Sequence, residues 1–317
     1  MLSTSYPLWE GQAAGHFVAA EATLLCRQGH QVVVIAPGPR NEVLGTAPLV
    51  SRLATGDAFG PPGALARLRE RPLRAWGALE FCWKARRELQ QRGPFDQIIA
   101  HWLVPCAWPI ALGQAPTLEA VAHGSDVRLF CRLPAALRRH IARGWLEHQV
   151  RLRCVSQELR DLLIEASLPA LAERTRVEPP PLVLGTPPGR AAARERLGVD
   201  AGTRLALLVA RLVPEKRVAE ALRALVYLPG ISLVVVGGGP LLSELARRFP
   251  TVRFTGELAR PHALEWIAAA DVLVSASRQE GAPTALREAR ALGVPIVAQP
   301  AGDLRDWAAR DPGVWLV

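Results

Sequence analysis

The chain has 317 residues, of which 50% are hydrophobic and 21% are charged. The chain is therefore too long for one compact core and too apolar to remain unfolded. The net charge of +9 favours an anionic partner such as phosphate, nucleic acid or an acidic membrane surface. No run of 18 consecutive apolar residues occurs, so the composition excludes a membrane-spanning chain.

In the first half, short β-branched runs alternate with helical patterns, which is typical of parallel sheets with crossover helices. The predicted strands are 2–6, 31–36, 96–101, 117–122 and 151–155. The predicted helices are 12–27, 64–91, 134–148 and 157–166.

The segment 178–190, EPPPLVLGTPPGR, holds five prolines and two glycines and can continue neither a helix nor a central strand. We interpret it as a linker, which predicts domains over 1–184 and 185–317. In the second half, apolar runs at 204–212, 231–239, 252–256, 271–277 and 294–299 predict strands covered on both faces. Helices are predicted over 216–228, 240–249, 260–270 and 284–292, and Gly293 would end the last one. The prediction is an α/β protein whose two parallel sheets face each other across a cleft.

The stretch RQEGAPTALREARALG turns from strand 271–277 into helix 284–292. Free backbone amides at the start of a helix attract anions, and a glycine there permits close backbone approach. Proline suits the first helical position. The candidate anion site consists of Gly281, Ala282, Pro283 and Thr284.

Two carboxylates lie eight residues apart in this stretch, Glu280 before the helix and Glu288 two turns inside it. Both can accept hydrogen bonds from hydroxyl groups on either side of a bound phosphate. A ligand with phosphate between two groups of hydroxyls is a nucleotide diphosphate sugar, which is therefore the predicted ligand. The alternative is a solvated helix in which Glu288 pairs with Arg287 or Arg290.

The stretch EGAPTALREARALGVPIVA resembles the E-x7-E signature of the retaining glycosyltransferases of the GT-B fold, family 4. The resemblance implies two Rossmann-like domains, with Glu280 at the donor sugar and Glu288 at the nucleotide ribose. ARLVPEKR is similar to the family's G-R-x-x-x-x-K-G element, so Arg211 and Lys216 would hold the donor diphosphate. Ala210 and Arg217 stand where that element has glycines, and both departures look tolerable.

Three further loops match the same family. HGSDVR would place His123 at the sugar near the reacting carbon, with Asp126 in the same loop; a lone histidine is more often structural. The glycine turn with Gly237 and Gly238 would line the nucleotide pocket, and a tight strand-to-helix turn explains it equally well. YPLWEGQAAGHF resembles a loop near the diphosphate and acceptor, with Gly11 and Gln12 as its functional positions. Gly15 and His16 would only start the following helix.

The sequence has no Asp-x-Asp pair to hold a divalent cation on a diphosphate. The resemblance therefore implies a metal-independent enzyme without a cofactor, whose substrate is a UDP- or GDP-linked sugar. Five scattered cysteines without a CxxC pair indicate reduced thiols and a cytoplasmic protein. The N-terminal residues lack a basic region followed by an apolar stretch, so no signal peptide is expected.

Two arginine-rich segments in the first half contain interleaved aromatic residues: Trp76, Phe81, Trp83 and Trp145. They are interpreted either as solvated helix faces or as helices docked on the anionic inner face of the cell membrane. Reversing Arg138, Arg139 and Arg143 would test the membrane alternative. Nucleic acid is not expected as a partner, since no DNA- or RNA-binding module is recognised.

The sequence thus predicts a retaining glycosyltransferase of hexosyltransferase type, which moves a sugar from its nucleotide diphosphate to an acceptor hydroxyl. The acceptor would be a glycan or lipid-linked molecule of envelope polysaccharide synthesis. Two alternatives remain, a catalytically silent GT-B protein that binds nucleotide sugar and a sugar-nucleotide epimerase. Two departures favour the silent protein: EPPPLVLG replaces the family's NGVD-like segment, and the sequence ends at DPGVWLV where family members continue with helices.

Overall fold

A computed structural model describes residues 1–56, 58–60, 67 and 71–317. It divides into two compact units: Met1–Leu8 with Ala14–Pro181, and Trp9–Ala13 with Leu182–Val317. The boundary between Pro181 and Leu182 therefore lies inside the proline-rich segment that was predicted to be the linker. Part of the predicted helix 64–91, residues 64–66 and 68–70, lies outside the described residues.

The first unit contains seven strands in its described part, joined through Leu2. Three strands have the order β1-β3-β2, where β1 is Val33–Gly38, β2 is Glu42–Leu44 and β3 is Leu49–Ala54. Four parallel strands follow in chain order: β4 Gln97–His101, β5 Thr117–Ala122, β6 Arg151–Cys154 and β7 Thr175–Val177. Among these described strands, only β2 is antiparallel, and it lies at the outer edge beside β3.

The predicted strand over 2–6 is wrong except at Leu2, which forms isolated parallel bridges with Ile35 and Ala100. The Ser3 hydroxyl donates to the carbonyl of Ser5 at 2.6 Å and accepts from the Ser5 amide at 3.1 Å. Such local side-chain bonds to the backbone compete with strand pairing. The first buried bridge therefore consists of a single residue.

Helices pack against these strands. The first begins at His16 rather than at residue 12, because Gly15 takes a left-handed conformation with φ of 74°. A side chain at Gly15 would lie 2.6 Å from the carbonyl oxygen of Ser5, so the position requires glycine. The α-helices of this unit are His16–Arg27, Ala75–Arg92, Ser125–Arg132, Ala135–Glu147 and Gln157–Ala166, with an irregular helical stretch at Leu103–Ala111.

The second unit contains six parallel strands: β8 Arg204–Val209, β9 Ile231–Val236, β10 Arg253–Gly256, β11 Val272–Ser275, β12 Ile296–Ala298 and β13 Val314–Leu316. Their order is β10-β9-β8-β11-β12-β13, so the third, second and first strands are followed by the fourth, fifth and sixth. This is the Rossmann order. The five predicted strands are confirmed, and β13 is an additional edge strand.

Apolar side chains cover both faces of this second sheet, as the continuous apolar runs indicated. On β8, Leu205 and Leu207 enter one core cluster, whereas Ala206 and Leu208 enter the cluster on the opposite face. The alternation follows the two-residue period of a strand. The flanking helices are Arg190–Leu197, Val218–Leu225, Leu242–Arg248, Arg260–Ala269, Thr284–Ala291 and Leu304–Ala308. The predicted class, α/β with two Rossmann-like domains, is confirmed.

Within the described ranges, none of the helices combines the length and apolar character needed to cross a membrane.

Candidate active site

The strand order of the second unit creates a crevice at one edge of its sheet. Strand β8 has β9 on one side and β11 on the other, so the connections that leave β8 and β11 run to opposite faces. Ligands of open α/β sheets bind outside the carboxyl ends of the strands at this position. The loop after β8 carries Arg211 and Lys216, and the loop after β11 carries Glu280.

Lys216 and Glu280 meet across this crevice. The Lys216 Nζ lies 2.6 Å from Glu280 Oε1, and the two side chains are only 21% and 12% exposed. An ammonium group has three donors, and the carboxylate engages one of them, which fixes the direction of the others. The pair presents a positioned cation next to a partly buried carboxylate, which suits a phosphate beside a polyol.

More positive charge surrounds Lys216. Arg211 is exposed in the same loop, and Arg278 follows β11. Partial desolvation and the nearby Arg278 lower the pKa of Arg217. Arg217 adopts the left-handed region with φ of 51°, where a non-glycine residue is strained. Arg217 thus adopts a conformation that favours the glycine usual at this position of the element, whereas Ala210 has no positive φ.

The glycine turn after β9 supports the loop that carries Arg211. A side chain at Gly237 would approach the carbonyl oxygen of Ala210 to 1.9 Å, and one at Gly239 would lie 2.6 Å from that of Leu212. Gly238 accepts a backbone hydrogen bond from Leu212 at 2.8 Å. The structure thus shows the tight turn that the sequence left as one alternative for Gly237 and Gly238.

The helix Thr284–Ala291 starts directly after the Glu280 loop. Pro283 is the residue before the helix, whereas proline was expected as its first helical residue. No side chain caps the amides of the first turn. Gly302 packs against this loop, since a side chain there would lie 3.2 Å from the Glu280 carbonyl oxygen. The predicted anion-site residues Gly281, Ala282, Pro283 and Thr284 therefore stand together beside the Lys216–Glu280 pair.

Glu288 faces an arginine that sequence reasoning did not identify. Arg260 Nε donates to Glu288 Oε1 at 2.8 Å, and Arg290 binds Asp311 instead. The suggested pairing of Glu288 with Arg290 is wrong, because Arg290 points to the far end of its own helix. Burial raises the pKa of Glu288, and the charges of Arg260 and Arg287 partly offset that effect. The sequence did not indicate Arg260 as the partner of Glu288, because it lies 28 residues away on another helix.

The segment Trp9–Ala13 belongs to this second unit. The backbone amide of Arg260 donates to the carbonyl of Gly11 at 2.7 Å. Gly11 has φ of 85°, and Gln12 is buried. The predicted positions Gly11 and Gln12 thus lie at the N-terminal end of the helix that also supplies the partner of Glu288.

In the first unit, His123 follows β5 as predicted, and it contacts a second histidine. His123 Nε2 and His101 Nδ1 are 3.0 Å apart, and the two rings stack with centroids 5.2 Å apart. Phe17 and Trp102 each lie 4.8 Å from the His123 ring. Burial, reinforced by the charge of Arg153, lowers the pKa of His123 to about 3. His123 is therefore neutral at physiological pH and one of the two histidines donates to the other.

His101 ends β4 and is fully buried. Burial, together with His123 and Arg153, keeps the pKa of His101 well below its ordinary value. Its Nε2 lies 3.9 Å from Glu21 Oε2, and Glu21 also binds Arg153. Sequence reasoning missed this network, although two polar residues in predicted strands are a signal for it: His101 at the end of 96–101 and Arg153 in the middle of 151–155.

Asp126 lies in the first turn of the helix Ser125–Arg132, whereas the sequence placed it in a loop. Its carboxylate accepts backbone hydrogen bonds from Leu103 at 2.9 Å, His123 at 3.0 Å and Gly124 at 2.9 Å. Burial raises the pKa of Asp126, and these bonds oppose the rise. The bonds hold the His123 backbone in place, so the geometry gives Asp126 a positioning role.

In the part of the chain that the structure describes, no group of three His, Cys, Asp or Glu side chains is arranged to hold a metal ion. All five cysteines are free thiols.

Two curated relatives overlap the chain in part. A D-inositol 3-phosphate glycosyltransferase of Mycolicibacterium gilvum is 36% identical over 131 residues, which cover 38% of this chain and 29% of that protein. A Bacillus subtilis protein, named as a glycosyltransferase of teichuronic acid biosynthesis, is 30% identical over 228 residues, covering 68% of this chain and 56% of the relative. The chain therefore spans less than two thirds of the length of either relative.

Solved structures share the fold. Sucrose-phosphate synthase from Thermosynechococcus elongatus superposes with a TM-score of 0.74 at 20% identity, covering 96% of this chain and 79% of that one. An Anabaena protein solved in complex with UDP-glucose superposes with a TM-score of 0.63 at 17% identity, covering 100% of this chain and 84% of that one.

Two family profiles divide the chain between them. Glycosyl transferases group 1 matches residues 203–317, which contain the Lys216–Glu280 pair. Glycosyltransferase Family 4 matches residues 14–182, which contain the His101–His123 pair. Since the second profile alone spans more than half of the sequence, the chain belongs to glycosyltransferase family 4 and has the GT-B fold.

Proposed function

We propose that the protein is a retaining glycosyltransferase that moves a hexosyl group from a nucleotide diphosphate to an acceptor hydroxyl. The observation that carries this proposal is the Lys216–Glu280 pair at the crevice between β8 and β11, next to the uncapped start of the helix Thr284–Ala291. A cation and free amides suit the diphosphate, and the adjacent carboxylate suits the sugar hydroxyls.

The proposed donor is a UDP- or GDP-linked sugar. Arg211 and Lys216 would hold its diphosphate, with the backbone amides of Gly281, Ala282 and Thr284. Glu288 would accept hydrogen bonds from the ribose hydroxyls, and Arg260 fixes the direction of its carboxylate. The UDP-glucose complex of the Anabaena neighbour supports this donor class.

The proposed reaction breaks the bond between the anomeric carbon and the phosphate oxygen. The acceptor oxygen bonds to that carbon on the same face, and its proton passes to the departing phosphate oxygen. No protein nucleophile is needed. Arg211 and Lys216 would stabilise the charge that develops on the leaving diphosphate, so the proposed reaction is metal-independent. Neutral His123 would contact the sugar, held there by Asp126 and His101.

We further propose an acceptor in glycan or envelope polysaccharide synthesis and a cytoplasmic location. The teichuronic acid relative supports the first, and five free thiols suit a reducing compartment. The acceptor itself would be a glycan or a lipid-linked molecule.

Calorimetric titration with UDP-, GDP- and ADP-sugars, with and without EDTA, tests the donor. We expect one UDP- or GDP-sugar to bind equally well in EDTA. Lys216→Ala should weaken that binding, whereas Arg223→Ala, on an exposed helix of the same unit, should not. If none of these nucleotide sugars bound, the assignment of the crevice would fail.

Turnover then separates the transferase from its rivals. NMR of the products shows whether free nucleotide is released and whether the sugar keeps its anomeric configuration. Both together indicate retaining transfer or hydrolysis. A changed sugar still attached to nucleotide would indicate an epimerase. Binding without any turnover, across acceptors that include lipid-linked ones, would identify a silent nucleotide-sugar-binding protein.

A further inference from the structure

The helix Ala75–Arg92 of the first unit has two dissimilar faces. Phe81, Ala85 and Leu89 are buried on one of them. The other face and the turn before it expose large apolar side chains to solvent: Leu73 (80%), Trp76 (72%), Leu79 (59%) and Trp83 (62%). Exposed apolar residues are ordinary when scattered, but four within eleven positions form a surface.

The four side chains share one side because of helix geometry. Trp76, Leu79 and Trp83 are three and seven residues apart, which places them on one stripe, and Leu73 precedes the stripe by one turn. We call Leu73, Trp76, Leu79 and Trp83 the tryptophan face.

Positive charge accompanies this face. Arg71 and Arg74 precede it, and Arg87 lies one turn beyond Trp83 with its guanidinium 5.5 Å from the Trp83 ring. Residues 71–92 contain six basic and two acidic side chains. Of the acidic pair, Glu80 is bound by Lys84 and Glu88 by Arg92. No acidic side chain in this segment therefore stands without a cation beside it.

The other arginine-rich helix, Ala135–Glu147, lacks such a face. Its Trp145 is fully buried and stacks on Phe130 with ring centroids 5.3 Å apart. Arg138 donates to the carbonyls of Cys131 and Leu133 and so ends the preceding helix. Phe81 and Trp145 are therefore buried and belong to no exposed aromatic face, and Arg138 is a poor site for a charge-reversal test.

We infer that the tryptophan face docks on an anionic lipid surface. Tryptophan and leucine suit the boundary between headgroups and acyl chains, and arginines that extend beside them reach anionic headgroups. A second copy of the chain fits less well, because a two-fold interface would bring like charges together. The inference rests on exposure and charge in the first unit and requires nothing of the donor crevice.

Sedimentation with vesicles tests the inference. The protein should pellet with phosphatidylcholine vesicles that contain phosphatidylglycerol, remain in solution with phosphatidylcholine alone, and be released by salt within the range of Debye screening. Trp76→Ala with Trp83→Ala, and separately Arg71→Gln with Arg87→Gln, should each reduce binding. Each neutralised charge near the surface should cost about fivefold in partitioning.

Matched controls come from the second unit, where Tyr227 is 87% exposed and Arg223 lies on an exposed helix position. Tyr227→Ala with Arg223→Gln should leave vesicle binding unchanged. All variants should keep the parent's thermal midpoint and its nucleotide-sugar titration, since every changed side chain is exposed.

Three results would overturn the inference. Equal recovery with neutral and anionic vesicles would exclude the anionic surface, and full binding by both face variants would exclude this face. A concentration-dependent dimer that Trp76→Ala with Trp83→Ala dissociates would assign the face to a second copy of the chain. If nucleotide sugars failed to bind while vesicles still did, the proposed donor would fail and the docking inference would stand.

Discussion

Removing Lys216 and Glu280 separately and together tests whether they act as one unit. Their atoms approach to 2.6 Å with both side chains largely buried. At an effective dielectric of 20, Coulomb's law gives roughly 4 kcal/mol of attraction for two unit charges about 4 Å apart, from which the cost of desolvation must be subtracted. Exposed ion pairs contribute only about 0.2–1 kcal/mol. A charge-assisted hydrogen bond between these limits contributes roughly 1.5–3 kcal/mol.

Lys216→Ala and Glu280→Ala should each lower kcat/KM for the donor by about 10–100-fold. If Glu280 also directs the lysine, the double variant should lose less than the product of the two single losses. The shortfall should correspond to about 1.5–3 kcal/mol of coupling. Initial rates of nucleotide release, with urea unfolding to check stability, measure the four corners of the cycle.

A matched cycle on Arg196 and Glu265 provides the control, since this pair lies at 3.1 Å with Arg196 mostly exposed. Its coupling should remain below about 1 kcal/mol and should not affect turnover. Additive losses at Lys216 and Glu280, within about 0.5 kcal/mol, would show that the two residues act independently and would refute this reasoning.

Arg260→Met should weaken nucleotide binding, because it removes the hydrogen bond that fixes the direction of the buried Glu288 carboxylate. The nucleotide affinity of the parent should fall as the pH drops through the raised pKa of Glu288, and Glu288→Gln should abolish that dependence in calorimetry. His101 and His123 have depressed folded-state pKa values, so the unfolded chain binds more protons below pH 6.5 and stability should fall toward acid by up to about 1.4 kcal/mol per pH unit per histidine. His101→Gln and His123→Gln should flatten that slope in urea titrations at several pH values, and an unchanged slope would contradict the lowered pKa values of the pair. Arg217→Gly should raise the thermal midpoint through relief of about 1 kcal/mol of left-handed strain, and a lowered midpoint would show that the strain is smaller than the lost ion pair with Glu220.

The strands of the second unit could be predicted because they are long apolar runs. Several strands of the first unit could not, because they are short or contain polar residues. The run 231–239 indicates β9 by itself, whereas β7 is the three residues Thr175–Val177 and pairs only because β6 offers an edge. Strand β3 contains buried Arg52, whose guanidinium donates to the carbonyls of Tyr6 and Pro37. A charged residue inside a strand hides the apolar pattern, and its backbone partners are visible only after folding.

The sequence indicated site residues through local spacing but not their partners. Glu280 and Glu288 lie close together in the sequence at one helix start, so their spacing can be recognised there. Lys216 is 64 residues away from Glu280 in the sequence, so their contact cannot. His101 and His123 lie 22 positions apart on neighbouring strands. Contacts of this kind depend on which strands the sheet places side by side.

Aromatic residues near arginines were equally ambiguous. Phe81 and Trp83 are two residues apart on one helix, and one is buried while the other is exposed. Helical periodicity separates them once the helix bounds are known. The burial of Trp145 depends on Phe130 from another helix, which no local pattern indicates.

The contact between Gly237 and the Ala210 carbonyl has a consequence for the interpretation of inactive variants. Any side chain at Gly237 would displace the loop after β8, because a Cβ there would approach that oxygen to 1.9 Å. The displacement would carry Arg211 away from its position, so a substitution that touches no ligand would present kinetically as the loss of a cation. In a mutational survey, Gly237 and Arg211 should therefore fall in one phenotypic class although only one of them carries charge, and loss of activity at this glycine should not be taken as proof of direct contact with the donor.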